Sequence, residues 1–499
     1  MPNEQPNIIV ILIDDMGARD LGCTGSTFYE TPRIDSLAAE GVNFACGYAA
    51  SPVCSPARAA LMTGRAPARV GITNYIPGNA QGRLLGAPYH FHLPHTERTI
   101  ATALREGGYH TWHVGKWHLG GAADRSLPTD HGFDVNIGGD HHGSVAGMPN
   151  VYYGPFIDRE GHTLPGLEDT REGEYITDRL TDEAINLIRS KSDDRPFFMH
   201  FSHYVVHTPI VSPPDLVQRY EEKAARLKLD QQPALIPGEP LPVLHLSDQV
   251  VQRRIVQSHT GYAAMIANLD WNTGRLLDAL RDSGQDENTL IVFVSDNGGL
   301  STGCEGSVTC NLPYREGKGW SEEGGLRVPM LMRWPRAVPG GRVCDTPMWQ
   351  CDLYPTFLQA AGLPLEPDKH REGVGLLDTL THNATPDRDT FCWHYPNYPN
   401  QGSTPSGAIR HGDWKLIECF ESGSVSLYNL AEDISEIFNL APEHPELVAE
   451  LREHLAAWRA EVGALMPTPN PHYDDIIAGR LPHPDGLGNF PPGTVLEPS

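Results

Sequence analysis

Two uninterrupted apolar runs, NIIVILI at 7–13 and TLIVFVS at 289–295, each end abruptly at polar residues, Asp14-Asp15 in one case and Asp296-Asn297 in the other. An apolar run of this length without alternation fits a strand buried on both faces, the signature of a parallel sheet covered by helices on each side. A third run, PFFMHFSHYVVHTP at 196–209, reads as a strand that ends in His207. In open α/β sheets ligands collect outside the carboxyl ends of strands. Three strand tips that deliver polar groups there imply one shared site.

Helical patterns lie between these runs, at 33–42, 99–109, 177–190 and from about Gln249 to Ser283. Alternation of strand and helix over this length predicts a large doubly wound, mixed but mostly parallel sheet flanked by helices, occupying residues 1–384. From 385 to 499 the pattern changes to short strand-like pieces, TFCWHYP, SGAIRHGDWKLIECF and SVSLYNL, followed by one helical stretch at 445–462. This predicts a smaller C-terminal α+β unit, an antiparallel sheet with a helix on it. Prolines at 467, 469, 471, 482, 484, 491, 492 and 498 predict an extended tail across the surface.

The formal net charge of −25 disfavours nucleic acid or an anionic membrane as a partner. The run at 8–13 is too short to span a bilayer and lacks a basic flank or cleavage site, so the chain as written reads as cytoplasmic; a trimmed leader would make it periplasmic or secreted. Nine cysteines are too sparse for a disulfide scaffold. Cys304 and Cys310 are close enough to pair across a loop, but with no CxxC or Cys/His spacing the eight besides Cys54 read as mostly free and structural.

Asp14, Asp15, Asp296 and Asn297 offer only oxygen donors, which favours Ca²⁺, with Mg²⁺ second, over zinc. Adjacent carboxylates at a buried strand tip repel unless a cation separates them. The undecapeptide CSPARAALMTG at 54–64 places Arg58 one helical turn after Cys54, with Pro56 helping to start the helix. By itself CxPxR also suits a small buried thiol with Arg58 and Arg65 solvated. In HVGKWHLGG at 113–121, Lys116 and His118 are two apart and share a face if the chain is extended. His207 precedes Thr208-Pro209, and Lys318 lies in REGKGWSEEGGLRVP at 315–329.

Together these motifs resemble the type I sulfatases of the alkaline phosphatase superfamily, with CSPARAALMTG matching the maturation signature and GKWHLG a second family motif. The resemblance implies that Cys54 is oxidised to Cα-formylglycine by a formylglycine-generating enzyme. It further implies that Asp14, Asp15, Cys54, Asp296 and Asn297 hold one Ca²⁺, and that a sulfated sugar is hydrolysed by S–O cleavage through a sulfo-enzyme. In that scheme Asp296 activates the attacking hydroxyl, Arg58 steadies it, Lys116 binds sulfate, and His118 is the base that lets the aldehyde reform. His207 and Lys318 serve the leaving group, one binding the bridging oxygen and the other protonating it.

The sugar would be read by loops facing the leaving group: Asp140, His141 and His142 in GGDHHG, the loop from Cys304 to Cys310, and His394, Tyr395 and Arg410 in the aromatic stretch 394–415. The WHYPNY and GAIR patterns are similar to sulfatases acting on galactose or N-acetylgalactosamine ends. Two alternatives stand beside this expectation: a phosphonate monoester or phosphodiester hydrolase that uses the same modified cysteine, and a non-catalytic sulfated-glycan binder in which Cys54 stays reduced.

Overall fold

The computed structural model describes residues 5–481 apart from Glu305. Its centre is an eight-stranded sheet built from β1 (Asn7–Ile13), β2 (Val42–Phe44), β3 (His110–Gly115), β4 (Val135–Ile137), β5 (Phe197–Ser202), β6 (Thr289–Ser295), β7 (Met330–Arg333) and β8 (Arg342–Cys344). The spatial order is β8-β2-β7-β6-β1-β5-β3-β4. Strands β6, β1, β5, β3 and β4 run parallel, while β7 pairs antiparallel with both β6 and β2. The sheet is thus mixed and mostly parallel.

Both faces of β1 are covered, which explains its lack of alternation. Ile9, Ile11 and Ile13 enter one core with residues of α1 (Pro32–Glu40), α3 (Ile176–Ser190) and α5 (Thr260–Asp282). Ile8, Val10 and Leu12 enter the other with Leu61 and Met62 of α2 (Cys54–Thr63) and Leu353 and Phe357 of α6 (Leu353–Ala360). Each such buried side chain stabilises by ~1.5–3 kcal/mol, enough in sum to hold the charged tip of the strand in a dry setting. Helix α4 (Pro214–Arg226) packs against α5.

The C-terminal unit is a four-stranded antiparallel sheet, β9 (Thr390–Tyr395), β10 (Ser406–His411), β11 (Trp414–Cys419) and β12 (Val425–Asn429), with α7 (Pro445–Val462) against one face. The opposite face, with Phe391, Trp393 and Ala408, packs on Tyr48, Trp349 and Leu326 of the large unit.

Three expectations need correction. The stretch 249–283 is not one helix: Val250–Arg254 is a strand, paired with Leu235–Pro240 and Thr302–Gly303, and only Thr260–Asp282 is helical. The Val-Val pair and the partner strands win locally over helix propensity. The third apolar run stops pairing at Ser202, so His207 sits on the loop beyond it. In the tail, Thr468–Pro469 pairs with Leu84–Leu85 and Tyr473–Ile477 is helical rather than extended; the expected prolines from 482 onward lie outside the described residues. Cys304 and Cys310 are free thiols. Among the described residues no helix is long and apolar enough to cross a membrane.

Candidate active site

Strand register brings the polar tips together. Ile13 lies opposite Ser295 across β1 and β6, so Asp14 and Asp296, the next residues, emerge side by side. Ser202 lies opposite Leu12 on one side and Gly115 on the other, which sets Lys116 at the same end of the sheet. Helix α2 aims its first residue, Cys54, at this point. All ten residues of α2 are buried, and its end is closed by Gly64 at φ 65°, whose N–H donates to the Ala60 carbonyl. Ligand atoms of Asp14, Cys54 and Asp296 lie within 4.8 Å of one another.

Three cations interleave with the three carboxylates. Arg58 donates through Nε to Asp296 Oδ2 at 2.9 Å, and its Nη2 stands 2.8 Å from the same oxygen and 3.5 Å from Asp14 Oδ1. Its Nη1 donates to the Lys116 carbonyl at 3.0 Å and to Ser202 Oγ at 2.7 Å. Lys116 Nζ donates to Asp14 Oδ2 at 2.7 Å, and Lys318 Nζ to Asp15 Oδ2 at 2.7 Å. Asp296 Oδ1 accepts from the backbone N–H groups of Asp15 and Asn297. Asn297 Nδ2 donates to Asp15 Oδ1 at 2.8 Å.

The carboxylates are crowded. Burial, with Asp296 and Asp15 alongside, pushes the Asp14 carboxyl up to about 8 against the pull of Lys116 and Arg58. Burial acts on Asp15 in the same sense, yet Lys318, His207 and Lys116 together hold it well below the ordinary carboxylate range. Asp14 Oδ1 and Asn297 Oδ1 are buried acceptors with no hydrogen-bond partner. Unmet buried oxygens of this kind are costly. Clustered with Asp15 and Asp296 they form an all-oxygen donor set beside the Cys54 sulfur, which fits a hard divalent cation.

Two histidines complete the cluster. His118 does not lie in extended chain beside Lys116; β3 ends at Gly115 and His118 adopts φ 60°, which turns its ring across the site. Its Nε2 bonds the Ile76 carbonyl, and because a carbonyl only accepts, the proton sits on Nε2. Nδ1 is left buried with a free lone pair. Burial and then Lys116 push His118 well below the ordinary histidine value, so it is neutral. His207 donates through Nδ1 to the Thr208 carbonyl and turns Nε2 to Asp15 Oδ2 at 3.6 Å. Burial, with Lys318 next, lowers it to about 3. Burial also disfavours the Lys318 ammonium, but Asp15, Cys54 and Asp14 together outweigh this and hold its pKa above the ordinary lysine value.

The specificity candidates divide. The GGDHHG loop lies against His118, whose N–H donates to the Asp140 carbonyl at 3.0 Å; Asp140 bonds His142 Nδ1 at 2.8 Å, and His141 is exposed on the rim. Tyr395 is buried on the face of β9 toward the large unit and donates to Asn74 Oδ1 at 2.9 Å. His394 and Arg410 are not brought to the cluster. Alternation along β9 turns His394 to the α7 face, where Nε2 donates to the Leu465 carbonyl. Arg410 on β10 is buried against Tyr48 and donates to its hydroxyl at 2.7 Å.

Three contributors carry no motif. Ser202 orients Arg58. Gln350 Nε2 donates to the Ser295 and Asp296 carbonyls at 2.8 and 2.9 Å and so fixes the tip of β6. The Tyr75 hydroxyl is buried beside Asn400, in the electrostatic field of Lys318 and Cys54. Only Ser202 had a sequence signal, as a lone hydroxyl at the end of an apolar strand.

Comparison with known proteins shows the family and the fold. The model of the Sulfatase family matches residues 6–363, and that of the N-sulphoglucosamine sulphohydrolase C-terminal region matches residues 317–461. A sulfatase of Formosa agariphila is 29% identical over 91% of this chain and 89% of its own length. Human N-acetylgalactosamine-6-sulfatase is 31% identical over 78% of this chain and 68% of its own. The crystal structure of Ps i-CgsB in complex with k-i-k-neocarrahexaose superposes with a TM-score of 0.72 at 28% identity, covering 96% of this chain and 98% of that one. With a family model spanning most of the sheet and the cluster at its carboxyl edge, the chain belongs to the sulfatase family of sulfuric ester hydrolases.

Proposed function

We propose that the protein hydrolyses an O-sulfate ester on a sugar of the galactose or N-acetylgalactosamine type, with formylglycine formed from Cys54 as nucleophile and Ca²⁺ held by Asp14, Asp15, Asp296 and Asn297. The observation that carries this reading is the placement of Cys54 at the buried start of α2, within 4.8 Å of Asp14 and Asp296 and ringed by Arg58, Lys116 and Lys318. Similarity to N-acetylgalactosamine-6-sulfatases supports the sugar class. A hydrated aldehyde at position 54 would supply one hydroxyl to attack sulfur and a second to expel sulfate, and a divalent cation would supply charge for the sulfate oxygens.

The remaining work falls to the chain's own residues. Asp296, fixed by Arg58 and by two backbone N–H groups, is set to accept the proton of the attacking hydroxyl. Lys116 and Arg58 give positive charge where the sulfuryl oxygens gather, and transfer with a loose transition state depends mainly on such positioning. His118, neutral with Nδ1 unoccupied, is a base for the second hydroxyl. Lys318 and His207 both reach Asp15 Oδ2, but only Lys318 is positively charged at neutral pH, so Lys318 is the group that offsets charge on the leaving oxygen.

The test is mass analysis of the Cys54 peptide, to find aldehyde in place of thiol, joined to a sulfate-release assay on galactose 6-sulfate, N-acetylgalactosamine 6-sulfate and phenyl phosphonates. Faster turnover of phosphonates, or release of sulfate by protein with an intact Cys54 thiol, would overturn the reading. Chelation with EDTA should abolish sulfate release, and Ca²⁺ should restore it.

A further inference from the structure

The segment from Arg315 to Leu326 carries Lys318 and is held from both sides. On the large-unit side the Lys318 N–H donates to the Gly299 carbonyl at 3.0 Å, and the Gly319 N–H to the Pro52 carbonyl at 2.8 Å, two residues before Cys54. A few residues on, Gly324-Gly325 lies flat against Gly298, the neighbour of Asn297: the Gly298 N–H donates to the Gly325 carbonyl at 3.0 Å, and a Cβ on Gly298 would stand 2.0 Å from the Gly324 carbonyl oxygen.

On its other side the segment is gripped by the C-terminal unit. Ser403 donates to the Gly319 carbonyl, Trp320 Nε1 to the Gln401 carbonyl, and Ser321 Oγ pairs with Ser406 Oγ at 2.8 Å. The centre of the grip is ionic and wholly buried. Lys415 of β11 reaches Glu323 Oε1 at 2.8 Å and Glu436 Oε1 at 2.9 Å, and all three residues are 0% exposed. Glu436 Oε2 in turn accepts the Glu323 N–H at 2.7 Å, and Glu323 also pairs with Arg327 and accepts from Tyr48. None of these charges faces the sulfate cluster, and the chemistry above uses none of them.

We propose that Lys415 is a positioning residue: by fixing Glu323 it sets the backbone that carries Lys318 to Asp15 and presses Gly324-Gly325 behind Asn297. The proposal rests on the reading of Lys318 as the group acting on the leaving oxygen. A C-terminal unit with this role is part of the working site, since one buried ammonium ties it to the residue that meets the departing alcohol. A misplaced Lys318 should matter little for a leaving group stable as an anion and much for one that is not.

The experiment compares mature wild type, Lys415→Met and Lys318→Ala on 4-nitrophenyl sulfate and on phenyl sulfate, the poorer leaving group. Lys415→Met should lose about tenfold more kcat/KM on phenyl sulfate than on 4-nitrophenyl sulfate, the same direction of selectivity as Lys318→Ala. The double variant Lys415→Met, Glu436→Gln, which removes the carboxylate charge left without its ammonium, carries the test if the single variant does not fold. Equal loss on both substrates, or no loss in folded protein, would overturn the positioning role while leaving Lys318 as read. Absence of selective loss in Lys318→Ala would instead remove the reading on which the proposal stands.

Discussion

Single atoms decide how His118 and Arg58 behave. The Ile76 carbonyl fixes the proton of His118 on Nε2 and leaves Nδ1 as the free base. His118→Ala should therefore lower kcat by ~10²–10⁴-fold, measured as steady-state sulfate release. Arg58 spans Asp296, Ser202 and the Lys116 carbonyl with one planar fork. Lysine cannot reproduce that geometry. Arg58→Met leaves Asp296 buried without its partner and should cost ~3–5 kcal/mol of stability, read from denaturant unfolding. The residue types at the strand tips were legible because hard carboxylates next to an apolar run have few bland uses. The turn at His118 was not, because a left-handed φ at a histidine leaves no trace in the side-chain pattern. Gln350 was equally hidden: its role depends on the fold bringing position 350 to the end of β6.

At the scale of elements, three glycines set how closely the tip of β6 meets the segment after Lys318. Gly298→Ala would drive its Cβ to 2.0 Å from the Gly324 carbonyl oxygen, a clash of backbone that no rotamer relieves. It should destabilise by ~1–3 kcal/mol in thermal unfolding and weaken binding of the Ca²⁺ proposed above, measured by calorimetric titration. The strands β1 and β6 were readable from their unbroken apolar runs, since burial on both faces erases alternation. The stretch 249–283 was misread because the strand at Val250–Arg254 owes its form to partners at 235–240 and 302–303, both distant in sequence. His394 and Arg410 show the same limit. Their residue types suit a sugar, but which face of β9 or β10 they occupy depends on where those strands dock.

Across the whole molecule, several histidines are buried neutral. Burial lowers His113 and His203 to about 3 and His131 to about 4, and lowers His200 as well, from an ordinary 6.5. The unfolded chain takes up protons at these positions below pH 6.5 that the folded chain refuses, so the share of stability that rests on these histidines is complete above that pH and falls as pH drops toward 4. Each such proton steepens the loss by ~1.4 kcal/mol per pH unit. His203 has neither ring nitrogen bonded and lies 4.1 Å from the Phe201 ring centre. His203→Phe should therefore flatten the acid limb of the stability profile by one proton while leaving stability at pH 8 nearly unchanged, as followed by urea unfolding at stepped pH. The C-terminal antiparallel sheet was visible in the sequence as a change from long apolar runs to short strands, whereas the buried charges that join it to the Lys318 segment were not, because Lys415, Glu323 and Glu436 look like surface residues until the fold encloses them. One consequence concerns the order of events in biosynthesis. All ten residues of α2 are buried once the chain has folded; Cys54 keeps 3% exposure, room for a sulfate group but not for a second protein to grip the helix around it. An enzyme that oxidises Cys54 must therefore meet this stretch as an open strand, before α2 docks, and a host in which folding outruns that encounter should yield intact but permanently silent protein. Incubating the folded thiol form with such an enzyme should leave it unchanged, while a free peptide spanning residues 50–70 should be converted.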